Sequence, residues 1–166
     1  TYLTLGLLRP HVETVNIVNA PVVARDRGVE VEVVSASRSK DFSSVIEVDV
    51  ETDQIRRGAY GTVFANKFPR IISLDGYRME MQPEGPLAIM FGDDRPGVIG
   101  TVGSVFGEAG VNIASMTFGR KVSTQKSVLA VNLDSPAPQA VIDRLSKLDF
   151  MEAVYTMELP MLSRLE

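Results

Sequence analysis

The chain has 166 residues, a formal net charge of −4, one histidine and no cysteine. That length allows one medium domain or two of roughly 80 residues each. Without cysteine there is no disulfide, thiolate nucleophile, Cys-ligated metal or Fe–S cluster. The lone His11 leaves no His cluster for zinc, the acidic balance without a basic stripe argues against nucleic acid, and no apolar run approaches the ~18 residues of a membrane span.

Thr1-Tyr2-Leu3 is neither a signal peptide nor an initiator Met, and reads as a cut through a longer protein. Residues 2–8 are mostly apolar and fit a short helix or the end of one. Thr14 to Arg27 places Val15, Val18, Val22 and Val23 at helical spacing, with Gly28 as a stop. Pro21 inside this pattern predicts a kink or a new helix starting there. Val29 to Val33 alternates with glutamates, which predicts a half-buried strand, and Ser35 to Ser43 reads as a polar loop. Ile46, Val48 and Val50 alternate with Glu47, Asp49 and Glu51 as a second strand. Ile55 to Phe64, interrupted by Gly58 and Gly61, is a third and Pro69 to Leu74 a fourth. The Asp75-Gly76 turn leads to a fifth, Tyr77 to Met81. Arg56-Arg57 reads as an exposed strand face, and Met79, Met81 and Met90 as core fillers.

Gln82-Pro83-Glu84-Gly85-Pro86 is the domain boundary, because two prolines and a glycine continue neither a helix nor a central strand. The domains are then 1–84 and 85–160, with 161–166 a tail. After the boundary come a strand at Leu87–Phe91, a helix at Gly97–Glu108, strands at Val111–Arg120 and Ser127–Leu133, a helix at Pro138–Leu148 and a strand at Met151–Glu158. This is βαββαβ, the ferredoxin-like order. Val98, Val102, Val105 and Phe106 make one apolar helix face, and Val141, Ile142 and Leu145 another. Both helices cover one face of a four-stranded sheet, and the other face calls for a partner. The fold class is α+β: a first α/β domain with a mostly antiparallel sheet, followed by the ferredoxin-like domain.

Glycines 97, 100, 103 and 107 follow a strand, but the dinucleotide fingerprint needs G-x-G-x-x-G. Asp93 and Asp94 would also repel a pyrophosphate. The glycines read instead as close packing of helix on sheet. Asp94 precedes Arg95-Pro96-Gly97 and fits a helix cap, with Pro96 in the first turn. A functional reading adds a ligand: the helix amides suit a carboxylate and Asp94 an ammonium. Asn112 is either a local turn residue or a donor and acceptor for the same ligand. A helix of about 12 residues is roughly 18 Å long. Asp94 and Asn112 therefore meet on one small ligand only if two subunits related by a two-fold axis each contribute one end. Arg70, Arg78, Arg120 and Lys121 are either an anion site or solvated surface charge.

Asp94-Arg95-Pro96-Gly97 and Gly110-Val111-Asn112-Ile113 resemble the ACT domain, an amino-acid-sensing module. Val15-Asn16-Ile17-Val18-Asn19-Ala20-Pro21, Arg27-Gly28-Val29, Pro69-Arg70-Ile71-Ile72 and Asp75-Gly76-Tyr77 resemble the intervening (allosteric substrate-binding) domain of long-form D-3-phosphoglycerate dehydrogenases. The resemblance implies the C-terminal regulatory half of such an enzyme, cytoplasmic, with L-serine bound at an ACT–ACT interface by Asp94, Asn112 and the backbone around Gly97 and Val98. It also implies homo-oligomers through the ACT domains, and catalytic domains of the same chain that carry NAD, with no cofactor and no catalytic residue in the region seen here. Arg70 and Arg78 are the implied anion-binding positions. Gly92 departs from the pattern, since regulated members can carry a polar or aromatic ligand-contacting side chain there. Alternatives are the regulatory subunit of an L-serine dehydratase and a purely structural ACT dimerisation module. Nothing in the sequence assembles a nucleophile–base pair or a metal cluster.

Overall fold

The computed structural model describes residues 1–35, 42, 44–65 and 67–162. The chain divides into two compact units, Thr1–Arg38 and Ser39–Glu166. Among the described residues no helix is long and apolar enough to cross a membrane.

The first unit holds α1 (Tyr2–Leu8) and α2 (Ala20–Asp26). Between them the two asparagines bond to each other's backbone. The Asn16 amide donates to Asn19 Oδ1 at 2.7 Å, and the amides of Val18 and Asn19 donate to Asn16 Oδ1 at 2.9 and 3.1 Å. This local bonding competes with helix. The helical pattern expected from Thr14 therefore begins at Ala20, with Pro21 in its first turn, and Val18 is 84% exposed instead of facing a core. The helix ends in a reciprocal pair of turn bonds, Val29 N–H to Ala24 C=O and Gly28 N–H to Arg25 C=O, both 2.9 Å. Leu8, Val15, Ala20 and Ala24 form the small core. The strand expected at 29–33 is absent. Residues 29–35 join no ladder and Val33 is 85% exposed, since alternation describes a face and needs a neighbouring strand to make one. The polar loop expected at 35–43 falls mostly outside the described residues.

The second unit contains two four-stranded antiparallel sheets. In the first, β1 (Val45–Glu51), β2 (Arg56–Phe64), β3 (Phe68–Leu74) and β4 (Tyr77–Met81) run in spatial order as a meander. Gly58 and Gly61 do not interrupt β2, although its register on β3 shifts at Tyr60/Gly61. The second sheet has the order β6-β7-β5-β8. It is built from β5 (Gly85–Asp93), α3 (Val98–Glu108), β6 (Ile113–Lys121), β7 (Lys126–Leu133), α4 (Gln139–Ser146) and β8 (Met151–Leu159), the ferredoxin-like order. Pro86 lies inside β5, contrary to the expected break. It pairs with Glu158 of β8, whereas the ladder to β7 starts only at Leu87, so its missing N–H falls at the strand's first turn of pairing.

One face of the second sheet packs Ala88, Met90, Leu129, Val131 and Leu133 against Val98, Val102, Val105 and Phe106 of α3 and Val141 and Leu145 of α4. Burying each Val, Leu, Met or Phe side chain there is worth about 1.5–3 kcal/mol. The other face is covered from within the chain. Met79 and Met81 of β4, flanked by Ile71, Leu74 and Tyr77, pack on Leu87, Ile89, Val128 and Ala130. This replaces the partner that the sequence pattern called for. Gly119 makes the approach possible, because a Cβ there would stand 2.9 Å from the Arg78 carbonyl oxygen and 2.9 Å from Val128 Cγ1. Thr117 Oγ1 donates to Glu80 C=O at 3.0 Å, and buried Asn132 donates to the carbonyls of Gln82 and Glu84 at 3.0 and 2.9 Å. The proline-containing connection is thereby pinned to the second sheet.

The glycines of α3 do not serve close packing. A Cβ on Gly100, Gly103 or Gly107 would meet nothing within 4 Å. Gly119→Ala is therefore expected to lower stability by about 1–3 kcal/mol through overpacking. Gly107→Ala raises it by up to about 1 kcal/mol through helix propensity. Denaturant unfolding of the two variants beside the parent chain checks this contrast.

Candidate functional site

β5 ends at Asp93 and the chain turns through Asp94-Arg95-Pro96 into α3. The Asp93 amide donates to Phe150 C=O at 2.9 Å and the Asp94 amide to Gln125 C=O at 2.8 Å, which ties the loop to both neighbouring connections. The N-cap of α3 is Gly97, with φ +93°, so the expected capping by Asp94 does not occur, and Pro96 lies before the helix instead of in its first turn. Thr101 N–H to Gly97 C=O, 2.8 Å, is the first helical bond, which leaves the amides of Val98, Ile99 and Gly100 without helical partners.

A hollow of about 320 Å³ opens against this first turn. It is lined by Asp94, Arg95, Pro96, the residues 97–100, and Phe118 and Arg120 from β6. Three of the four effector positions read from the sequence, Asp94, Gly97 and Val98, are thus brought together. Asn112 stands beyond the other end of α3, about 16 Å along eleven residues of helix. Its amide nitrogen donates to Asp134 Oδ2 at 2.6 Å, a side chain twenty-two residues on and not the local turn bond expected.

Both acidic residues of the loop are charge-compensated. Arg120 Nε donates to Asp94 Oδ2 at 2.7 Å, with the Asp94 side chain 12% exposed and Arg120 61%. Lys126 sits directly across the β5–β7 ladder from Asp93 and reaches its Oδ1 at 2.6 Å and Glu152 Oε1 at 2.5 Å. Those two hydrogen bonds, Asp93 first, hold the Lys126 ammonium well above its ordinary pKa. Arg95 pairs with Asp149 and lies 4.9 Å from the centroid of the Phe150 ring. The same pairing holds the Asp149 carboxyl below its usual range. The sequence reading missed the pairing roles of Arg120 and Lys126. Drawing the β5–β7 register would have exposed the Asp93–Lys126 pair, while Asp94–Arg120 depends on how the loop folds back.

Gly92 has a structural cause. A Cβ there would stand 2.2 Å from the Phe150 carbonyl oxygen, at the register shift between β5 and β8. No side chain from this position can reach the hollow. Arg70 and Arg78 line neither this hollow nor the second one described next. Arg70 Nη1 donates to the neighbouring Pro69 C=O at 2.8 Å, and Arg78 lies on β4 opposite Ser73. The second hollow, about 240 Å³, is lined by Asp49, Arg56, Gly58, Tyr60, Asp75 and Gly76. Beside it Arg57, expected to be a plain exposed residue, donates to Asp75 Oδ2 at 2.6 Å and sits 5.8 Å from the Phe91 ring centroid. Burial, then the charge of Glu152, raises the Tyr77 phenol at the edge of this cluster.

Residues 2–75 match the family model of the D-3-phosphoglycerate dehydrogenase intervening domain, and residues 88–150 match that of the ACT domain. The chain belongs to these two domain families. It is 38% identical over 155 residues to the D-3-phosphoglycerate dehydrogenase of Methanocaldococcus jannaschii, 93% of this chain but 29% of that protein. The Bacillus subtilis enzyme of the same name is 30% identical, covering 93% of the chain and 30% of that protein, and the Synechocystis one 31%, covering 89% and 26%. The chain thus spans under a third of the length of these relatives.

The candidate site lies in the ACT domain. Asp94, paired through one oxygen with Arg120, is the carboxylate on the wall of the hollow beside the free amides of the first turn of α3. β4 packs on β6, the strand that carries Phe118 and Arg120 to one wall of the hollow. In this ACT domain, Gly92→Ala is expected to cost at least the ~1–3 kcal/mol of ordinary overpacking, because the obstacle is backbone. Amide exchange of Asp93, whose bond to Phe150 C=O must move, should speed up in that variant, and an unchanged rate would contradict the explanation given for Gly92.

Proposed function

We propose that this chain is the regulatory portion of an NAD-dependent D-3-phosphoglycerate dehydrogenase of serine biosynthesis. In this reading the hollow at the α3 N-terminus is half of an L-serine site completed by a second copy. The observation that carries it is the separation of the candidate residues: Asp94, Gly97 and Val98 line one hollow, while Asn112 stands at the opposite end of the same helix. The amides of Val98 to Gly100 receive the α-carboxylate, Asp94 the ammonium, and Asn112 of the other copy closes the site across a two-fold axis. Catalysis and NAD belong to catalytic domains of the same chain, in the cytoplasm, and Arg70 and Arg78 are the positions for an anion on the intervening domain. An effector bridging two ACT domains shifts the assembly only by its differential affinity, typically ~1–3 kcal/mol.

The absence of a side chain at Gly92 favours a second reading, in which the ACT domain assembles the protein without binding serine. Calorimetric titration of the chain with L-serine, alongside sedimentation, separates the two. Saturable heat is expected in a dimer, abolished by Asp94→Ala and by Asn112→Ala. Mixing the two variants should restore part of it, since each mixed dimer regains one complete site. A dimer without heat leaves assembly alone. Heat surviving both substitutions puts the site elsewhere, and a monomer with full affinity removes the two-fold arrangement.

A further inference from the structure

We infer that Arg120 makes this hollow select amino acids carrying a second, distal anionic group over L-serine, an inference that rests on the effector-site reading above. Arg120 comes from β6, sits on the wall of the hollow and is 61% exposed. It spends its Nε on Asp94 Oδ2, and among the described residues its two terminal nitrogens have no hydrogen-bond or ion-pair partner. A guanidinium has five N–H donors in a planar fork and can serve two carboxylates at once.

The other groups around the hollow do not compete for this role. Arg95 is stacked on Phe150 and paired with Asp149. Lys126 is shared by Asp93 and Glu152 and does not line the hollow. Gly92 contributes no side chain, so the polar wall opposite α3 consists of Asp94 and Arg120. Asp94 has one oxygen engaged by Arg120, and its Oδ1 remains for an ammonium. Arg120 therefore bridges Asp94 to whatever the ligand places beyond its amino group. The serine hydroxyl makes a neutral hydrogen bond there, whereas a phosphate or second carboxylate makes charge-assisted, bidentate ones, roughly twice as strong. The volume of about 320 Å³ leaves room for the larger group.

The test is calorimetric titration of the 166-residue chain with L-serine and with O-phospho-L-serine at low salt, repeated on Arg120→Gln, Arg120→Lys and Arg95→Gln. O-phospho-L-serine is expected to bind the parent chain at least ~10-fold more tightly than L-serine. Arg120→Gln should bring that ratio close to one, through loss of affinity for O-phospho-L-serine. Arg120→Lys should keep most of the preference and Arg95→Gln all of it. Thermal unfolding of each variant checks that it is folded, and Arg120→Met, expected to lose the preference in the same way, carries the test if Arg120→Gln is not. Binding of L-serine with no preference for the phosphorylated ligand, or a preference that survives Arg120→Gln in a folded protein, overturns the inference and leaves the effector site intact. If neither ligand binds, the effector-site reading fails and this inference fails with it.

Discussion

The arrangement of the second unit depends on one close contact, the approach of β4 to the face of β6 at Gly119. The Arg78 carbonyl and the Tyr77 Cβ would lie 2.9 and 3.2 Å from any Cβ at that position. Because glycine leaves the space, Met79 and Met81 reach Val128 and Ala130, and the face of the second sheet turned away from the helices is buried by its own chain. Apolar burial on both faces follows for β5 and β7, whose residues alternate between the two cores. The cost of bringing polar backbone into this contact is met by side chains. Thr117 bonds Glu80, and Asn132, itself oriented by Ser115 at 2.9 Å, satisfies two carbonyls of the connection.

That contact also decides how the candidate site is supported. Phe118 and Arg120 project from one face of β6 and line the hollow, whereas Thr117, Gly119 and Lys121 project from the other. Lys121 Nζ lies 3.5 Å from the Asp75 carbonyl oxygen and 5.2 Å from the Tyr77 ring centroid. Asp75 in turn accepts from Arg57 and from the Gly58 amide at 2.6 and 2.9 Å. The wall of the hollow is therefore one side of a strand whose other side is clamped to the turn between β3 and β4.

Much of this was legible in the sequence because it depends on local pattern. The βαββαβ order, the buried faces of α3 and α4 and the Asp75-Gly76 turn follow from periodicity and turn chemistry. Three misreadings share a cause. Val29 to Val33 alternates as a strand does, Val18 falls at helical spacing, and Asp94-Arg95-Pro96-Gly97 looks like a cap. In each case spacing does not reveal the partners: Val29 to Val33 joins no ladder, Val18 lies in a turn held by an asparagine pair, and Asp94 bonds an arginine twenty-six residues away. The glycines reverse in the same way. Those of α3 look like packing residues and face open space, whereas Gly92 and Gly119 face backbone brought there from distant segments. The candidate site was half legible. Asp94, Gly97 and Val98 share one sequence segment and one hollow, whereas Arg120, read from the sequence only as one of four residues of a possible anion site, is placed there by tertiary structure without Arg70 or Arg78.

The central claim is that the two ends of α3 serve one ligand through two copies of the chain. Hydrogen-exchange mass spectrometry of the chain with and without saturating L-serine tests it most directly. Slower exchange in both 93–101 and 110–114, titrating together with the ligand, is the predicted result. Protection confined to the first segment, or at neither, would contradict a shared two-fold site.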